Sequence, residues 1–505
     1  MNSFNEIKIG ILLNYITMVL NVLIGFILTP IIINIIGQSQ YGIYHLALAV
    51  IGYFNLIDFG FGSAYLRFYY KFIEKSDHRS INGLNGIYFL LYIFFSLIVL
   101  ILGLIISSNL SIIFDQNLLV SELNTLSLLI FLLSINLTIK FTFNVFVIFI
   151  EAKQKFVLKR VLLLLITLLN PIIVIPILLL GFGSIGLVLV TLIFTILVHL
   201  LSIFYALKYL NFRFYFGSIK LSLVKEIFFF SSFIFISMII DLFYWNIGII
   251  LLGVFKGPID VAIFSLAIQF NFYLINFSTS ITSILAPKLN SIVAKEYSNS
   301  ELTNVFIQIS RIQFSIVFLI LSGFSFFGRT FIKIWVGPDF NQTFIVSLIL
   351  MVPMLIPLIQ NSAIEIRKAK NLHKIPTLFF FFTSILNLFI SIPLIIHFGP
   401  LGSAIGTASS LIFNTLFTNF YNHFIVKLDI KLFWKELFQI SKGVFIPILF
   451  GIIVYFNLFS FEDFFIILLI PIYTLIYVFS MYCFGFNKSE KSLFFSIFIS
   501  KFRKM

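Results

Sequence analysis

The chain has 505 residues, of which 60% are hydrophobic and only 10% charged, with a formal net charge of +14. A water-soluble protein of this size cannot hide so much apolar side chain, so lipid must cover most of its surface. The single cysteine, Cys483, excludes an intrachain disulfide framework, and six scattered histidines lack ligand spacing, so neither metal nor cofactor is expected.

In chain order, fourteen apolar segments lie near 9–36, 42–70, 84–107, 121–150, 156–180, 184–207, 226–252, 259–287, 305–327, 343–366, 375–398, 401–426, 442–459 and 463–485. Each is long enough to cross about 30 Å of hydrocarbon as a helix. The alternating ten-residue pattern of an outer-membrane barrel is absent. The first run continues to Ile36 without a small-residue cleavage site, so it reads as a membrane helix and not a signal peptide. The expected fold is therefore all-α, a polytopic membrane protein of fourteen transmembrane helices.

The basic residues choose an orientation. One set of alternate loops, with the adjoining helix ends, carries 28 of the 33 Lys and Arg residues, whereas the opposite loops carry Lys256, Arg329 and Lys333. The positive-inside rule then places both termini in the cytoplasm, and an even number of spans agrees. Because the basic residues are spread over many short loops, no nucleic-acid partner is expected.

Two segments match at an offset of 217 residues: AKQKF at 152–156, running to TLLNPIIVIP, and AKNLH at 369–373, running to SILNLFISIP. Asn170 superposes on Asn387 and Pro176 on Pro393, and FGSIG (182–186) then matches FGPLG (398–402). IYHLA at 43–47 more weakly matches IFSLA at 263–267. Two parallel six-helix halves follow, with bundles at 1–215 and 216–430, and 431–505 holding helices 13 and 14 with a tail. Duplicated halves that rock about a central cavity are a physical basis for alternating access.

A cavity wall should show as polar residues at helical spacing. Asn136, Lys140 and Asn144 follow at i+4 steps; Gln269, Tyr273, Asn276, Ser280 and Ser283 share a face. Ser237, Asp241 and Trp245, then Asn14 and Asn21, and finally Asn55, Asp58 and Gly62 form shorter stripes. A lone Asn or Ser can simply bind a neighbouring helix. Lys140, Asp58 and Asp241 are different, because a charge within a membrane helix costs several kcal/mol and faces a partner or a wet space. Arg67 lies nearer the interface, at the inner mouth of such a cavity or snorkelling to the headgroups.

The stretch from Gly37 through Tyr41, Gly42, Tyr53, Leu56, Asp58, Phe59, Gly60 and Gly62 to Arg67 resembles the opening of bacterial O-antigen and capsular polysaccharide flippases. These form the polysaccharide-transporter branch of the multidrug/oligosaccharidyl-lipid/polysaccharide exporter superfamily. The resemblance implies no enzyme, but a flippase of the bacterial inner membrane that moves undecaprenyl-diphosphate-linked oligosaccharide to the outer leaflet. Lys140, Asn136, Asn144, Arg67, Gln269 and Asn276 are the expected substrate contacts, and Asp58 and Asp241 the coupling or gating groups, driven by an H+ or Na+ gradient. Lipid-linked oligosaccharide and membrane lipid are the implied partners, with a polysaccharide polymerase and a chain-length regulator as further candidates. A lipid II-type flippase and a multidrug exporter are the alternatives within the superfamily, and a membrane-bound polymerase lies outside it. Only the first half carries the DFG element, since Ser278 stands where Asp58 would recur.

Overall fold

A computed structural model describes residues 3–114, 117–217, 221–294, 298–457 and 463–492. The described chain is predominantly helical, with no strand among the described residues. It divides into two compact units, Met1–Ser265 and Leu266–Met505. The division at 215 and 430 drawn from the repeat is a separate proposal, made on sequence alone.

The first unit holds α1 (Ser3–Phe54), α2 (Phe61–Glu74), α3 (His78–Ser108), α4 (Ser111–Phe114), α5 (Val120–Ala152), α6 (Phe156–Leu179), α7 (Gly183–Tyr209), α8 (Leu221–Trp245) and α9 (Ile247–Phe255). Helix α5 packs on α3, α7 and α1, while α6 packs on α1 and α7. Between α7 and α8, residues 211–216 have no regular secondary structure and cross the ends of α3 and α5. Phe212 there meets Phe146 and Phe149 with ring centroids 4.7 and 4.9 Å apart. The strap is also pinned by Tyr215 N–H to the Asn82 carbonyl and by Asn85 Nδ2 to the Arg213 carbonyl, both 2.9 Å.

Helix α10 (Pro258–Ala294) carries the division between the units. The second unit continues with α11 (Asn299–Val336), α12 (Asn341–Ile359), α13 (Asn361–Ala369), α14 (Lys374–Phe398), α15 (Pro400–Phe424), α16 (Ile430–Ser441), α17 (Phe445–Asn457) and α18 (Asp463–Ser480), then a π-turn at Met481–Gly485. Here α14 pairs with α15, α15 with α12, and α11 with both α12 and α18.

Twelve stretches among the described residues are long and apolar enough to cross a membrane. The first, Tyr15–Glu74, has 60 residues. As one straight helix it would run about 90 Å, three times the hydrocarbon thickness, so it has to divide. It breaks at Gly37, whose φ of 80° and ψ of 166° are not helical. Residues 37–41, left between the first two expected segments, are thus helical apart from the one-residue break at Gly37. Helix α15, with 25 residues, is less apolar than these twelve stretches because its buried positions include Gly402, Ser403, Gly406 and Thr407, of which Gly402, Gly406 and Thr407 meet α14. Small polar residues of this kind let helix backbones approach within a membrane. With the first stretch divided and α15 added, the stretches able to cross a membrane among the described residues correspond one to one with the fourteen expected.

The repeat is visible inside each unit. Both α6 and α14 carry a proline in the second half, Pro176 and Pro393, and end at a glycine turn. A Cβ on Gly186 would lie 2.5 Å from Ile177, and one on Gly402 would lie 2.0 Å from the carbonyl oxygen of Leu394. The two contacts join equivalent positions of the repeat.

Candidate functional site

The chain around Asp58 does not continue as the unbroken helix expected over 42–70. It tightens into a 3₁₀ turn at Asn55–Asp58, and Phe59 and Gly60 then take positive φ values of 50° and 71° before α2 begins. Left-handed backbone strongly favours glycine. Space also requires glycine at position 60, because a Cβ there would lie 2.4 Å from Ile234 of α8. Phe59, forced into the same turn, stacks on Phe235 with centroids 4.3 Å apart. The stripe of Asn55, Asp58 and Gly62 is consequently interrupted, and Asp58 becomes the last residue before a break.

This placement brings Asp58 to α3. The Tyr92 hydroxyl and the backbone N–H of Gly60 donate to its carboxylate, while Oδ1 is buried with no described partner. Tyr92, fully buried, also accepts from Asn144 Nδ2 at 3.2 Å. A chain of hydrogen bonds therefore runs from Asp58 on the break, through Tyr92 of α3, to Asn144 of α5. Tyr88, one turn before Tyr92, is equally buried and its hydroxyl has no described partner.

Lys140 sits between Asn136 and Asn144 on α5 and is exposed in the described structure, whereas both amides are half-buried. It forms no ion pair with a carboxylate among the described residues. Its charge nonetheless acts on Asp58 and on His199 of α7. The Asn136 Oδ1 is buried and unpartnered. A sealed acceptor of this kind is costly unless water or a ligand group completes it.

The remaining candidates are more dispersed. The Arg67 guanidinium is exposed and stacks 4.5 Å over the Phe230 ring, the behaviour of a cation held by an aromatic face. Asp241 is exposed on α8, and no described contact joins it to Asp58 or Lys140. In the second unit, Gln269 donates to the Tyr273 hydroxyl at 2.6 Å, and Asn276 is exposed one turn further on. The side chains of Asn14 and Ser283, both terminal segments (1–2 and 493–505), and Lys220 and Lys295 lie outside the described residues.

Sequence patterns missed Tyr92, Tyr88 and His199. Tyr88 and Tyr92 stand at i, i+4 spacing within an apolar helix, a signal hidden among 69 phenylalanines and 20 tyrosines. They also missed Arg311, grouped with loop cations but lying well inside α11. It is 4% exposed, and it grips Glu490 through Nε at 2.6 Å and Nη2 at 2.9 Å. Beside it, α10, α11 and α18 enclose a cavity of about 640 Å³, lined mainly by apolar residues such as Leu289, Ile309, Ile316 and Leu319, with Glu490 at its edge.

A family model described as "Polysaccharide biosynthesis protein" matches residues 8–293, more than half of the chain. No curated protein matches it in sequence. Among solved structures, a lipid II flippase MurJ in an inward closed conformation superposes with a TM-score of 0.75 at 17% identity, covering 93% of this chain and 98% of its own. An inward-facing multidrug resistance MATE family transporter of the MOP superfamily gives a TM-score of 0.63 at 14% identity, covering 79% and 94%. A Vibrio cholerae MATE transporter gives 0.57 at 14% identity, covering 82% and 95%. At these identities the structural likeness establishes a shared fold. The family-model match establishes membership: the chain belongs to the polysaccharide biosynthesis protein family, with the fold of MOP-superfamily transporters.

Proposed function

We propose that the protein is a flippase, not an enzyme, which carries undecaprenyl-diphosphate-linked oligosaccharide from the inner to the outer leaflet of the bacterial cytoplasmic membrane by alternating access. The observation that carries this reading is Lys140, a cation mid-way along a membrane helix, flanked by two amides and linked electrostatically to Asp58. In this reading the ammonium meets the diphosphate, and Asn136 and Asn144 hydrogen-bond sugar hydroxyls. Arg67, Gln269 and Asn276 add further polar contacts. The apolar cavity beside α11 fits a segment of the polyprenyl tail. Asp58 and Asp241 are the groups proposed to couple transport to an H+ or Na+ gradient. Both termini face the cytoplasm, and a polymerase and a chain-length regulator are candidate neighbours in the same membrane.

Surface-glycan export in a deletion strain carrying variants tests the reading. Lys140→Ala should reduce export about tenfold or more, the equivalent of one charge-assisted hydrogen bond, and Lys140→Arg should retain part of it. Adding Asp58→Asn or Asp241→Asn to Lys140→Ala should not restore export. Recovery in either double variant would show that Lys140 only balances a carboxylate. The lipid-linked sugar accumulating in the deletion strain separates an O-antigen or capsular substrate from lipid II, and accumulation of none would favour a drug exporter.

A further inference from the structure

The two copies of the repeat share the turn AKQKF/AKNLH but differ in the charge that precedes it. Glu151 stands before the first turn and pairs with Lys159. At the same offset the second copy has Lys368, and Arg367 replaces Ile150. The second turn has therefore exchanged a carboxylate for a cation and added another.

Arg367 is only 7% exposed, at the end of α13. Its single described side-chain hydrogen bond runs from Nη1 to Asn422 Oδ1, a neutral acceptor, at 2.8 Å. No carboxylate pairs with it among the described residues; nearby Glu365 pairs with Lys368 instead, at 2.9 Å. Asn422 Nδ2 is buried without a partner. Lys370, one turn on from Arg367, reaches the Val426 carbonyl at 3.1 Å, and the exposed Lys427 lies close enough to act on it. Lys370 also donates to Asn299 Oδ1 at 3.0 Å, so the described acceptors for these two cations are all neutral: Asn422 Oδ1, Asn299 Oδ1 and the Val426 carbonyl. Burial pushes the guanidinium down to about 10, and burial together with Lys427 also lowers Lys370. A buried cation without a counter-charge is unfavourable unless an anion completes it.

We propose that Arg367, oriented by Asn422 and rimmed by Lys370 and Lys427, forms a phosphate-binding site at this end of the second unit. A phosphate is acceptor-only and can take the free edge of the guanidinium as a fork while also accepting from the Asn422 amide. Its source is either an anionic phospholipid headgroup or a diphosphate. The site lies wholly within the second unit and does not depend on which glycan is transported.

The full-length protein in phosphatidylcholine nanodiscs tests this by its thermal unfolding midpoint. One arm adds phosphatidylglycerol to the bilayer and the other adds inorganic pyrophosphate to the buffer. The wild-type midpoint should rise in at least one arm. A rise with phosphatidylglycerol alone assigns the site to headgroups, and a rise with pyrophosphate assigns it to diphosphate. Arg367→Gln should weaken the responding anion about tenfold or more. Asn422→Asp gives the guanidinium a built-in carboxylate, so it should raise the midpoint without added anion and abolish the response. This variant carries the test if Arg367→Gln fails to fold. A wild-type protein that responds to neither anion would overturn the proposal. So would a response that survives in Arg367→Gln or Asn422→Asp, or an Asn422→Asp variant less stable than wild type.

Discussion

Arg311→Met should cost the second unit about 3–5 kcal/mol, because it removes the counter-charge from a buried carboxylate. Glu490 is 7% exposed, and both its oxygens are engaged by Arg311, at 2.6 and 2.9 Å. The guanidinium also reaches Glu436 Oε2 at 3.1 Å and the carbonyls of Glu436 and Gly485 at 3.0 Å each. Of the two carboxylates, Glu436 has a side chain 28% exposed and can rehydrate when Arg311 is lost, whereas Glu490 cannot. Most of the cost therefore sits on Glu490. Replacing both partners, as Arg311→Met/Glu490→Met, should recover much of the loss, since an apolar pair of similar volume avoids charge burial altogether. The expected coupling between the two sites is about 2 kcal/mol or more. Shifts of the unfolding midpoint, compared in one detergent, show whether the two costs add, a comparison that does not require two-state unfolding of so long a chain. Costs that simply add, or an Arg311→Met loss within about 0.5 kcal/mol, would refute the reasoning and show that the cluster is hydrated and weak.

Two further predictions concern topology and the repeat. Reporters fused after Lys153 or Lys370 should read as cytoplasmic, and reporters within 181–184 or 398–402 as external; both members of such a pair on one side would refute the fourteen-span order. Gly402→Ala should destabilise more than Gly186→Ala by about 1–3 kcal/mol, because the added Cβ meets rigid backbone at 2.0 Å at Gly402 but a side-chain methyl at 2.5 Å at Gly186. Equal midpoints for the two variants would show that the α14–α15 contact yields as readily as a side chain does.

The membrane spans were legible because their signal is additive: twenty apolar residues outweigh any local ambiguity. Even α15, whose Gly, Ser and Thr lower its hydropathy, shows in sequence through its FGPLG turn and repeat partner. What patterns could not give was the path of the chain at single residues. Asp58 was legible as a costly charge, yet the break at Phe59 and Gly60 depends on Ile234, far along the chain. Helical spacing assumes an unbroken helix, so the stripe through Asn55, Asp58 and Gly62 misread the geometry, while Asn136, Lys140 and Asn144 on unbroken α5 stayed on one face. Partners from distant segments, such as Tyr92 for Asp58 or Glu490 for Arg311, leave no local signature at all.

The difference between the halves is itself a physical argument about where charge acts. Where the first half has Asp58, Phe59 and Gly60, the second has Ser278, Thr279 and Ser280, and α10 runs through them without a break. Ser278 is fully buried, and its hydroxyl donates to the Leu358 carbonyl at 2.8 Å. The same hydroxyl accepts from Gln313 Nε2 of α11 at 3.4 Å, so neutral partners satisfy the serine and no break in α10 is needed. A carboxylate cannot be satisfied so simply, and around Asp58 the fold supplies a tyrosine, a backbone N–H and the field of a lysine. The asymmetry reverses at the AKQKF/AKNLH turn of the repeat, where Glu151 pairs with Lys159 in the first half and Arg367 has no counter-charge among the described residues in the second. Within one duplicated scaffold the carboxylate at the helix break thus belongs to the first half, and the guanidinium held by a neutral amide belongs to the second. Exchanging equivalent residues between the halves should not conserve function, because each charge depends on neighbours that its counterpart lacks.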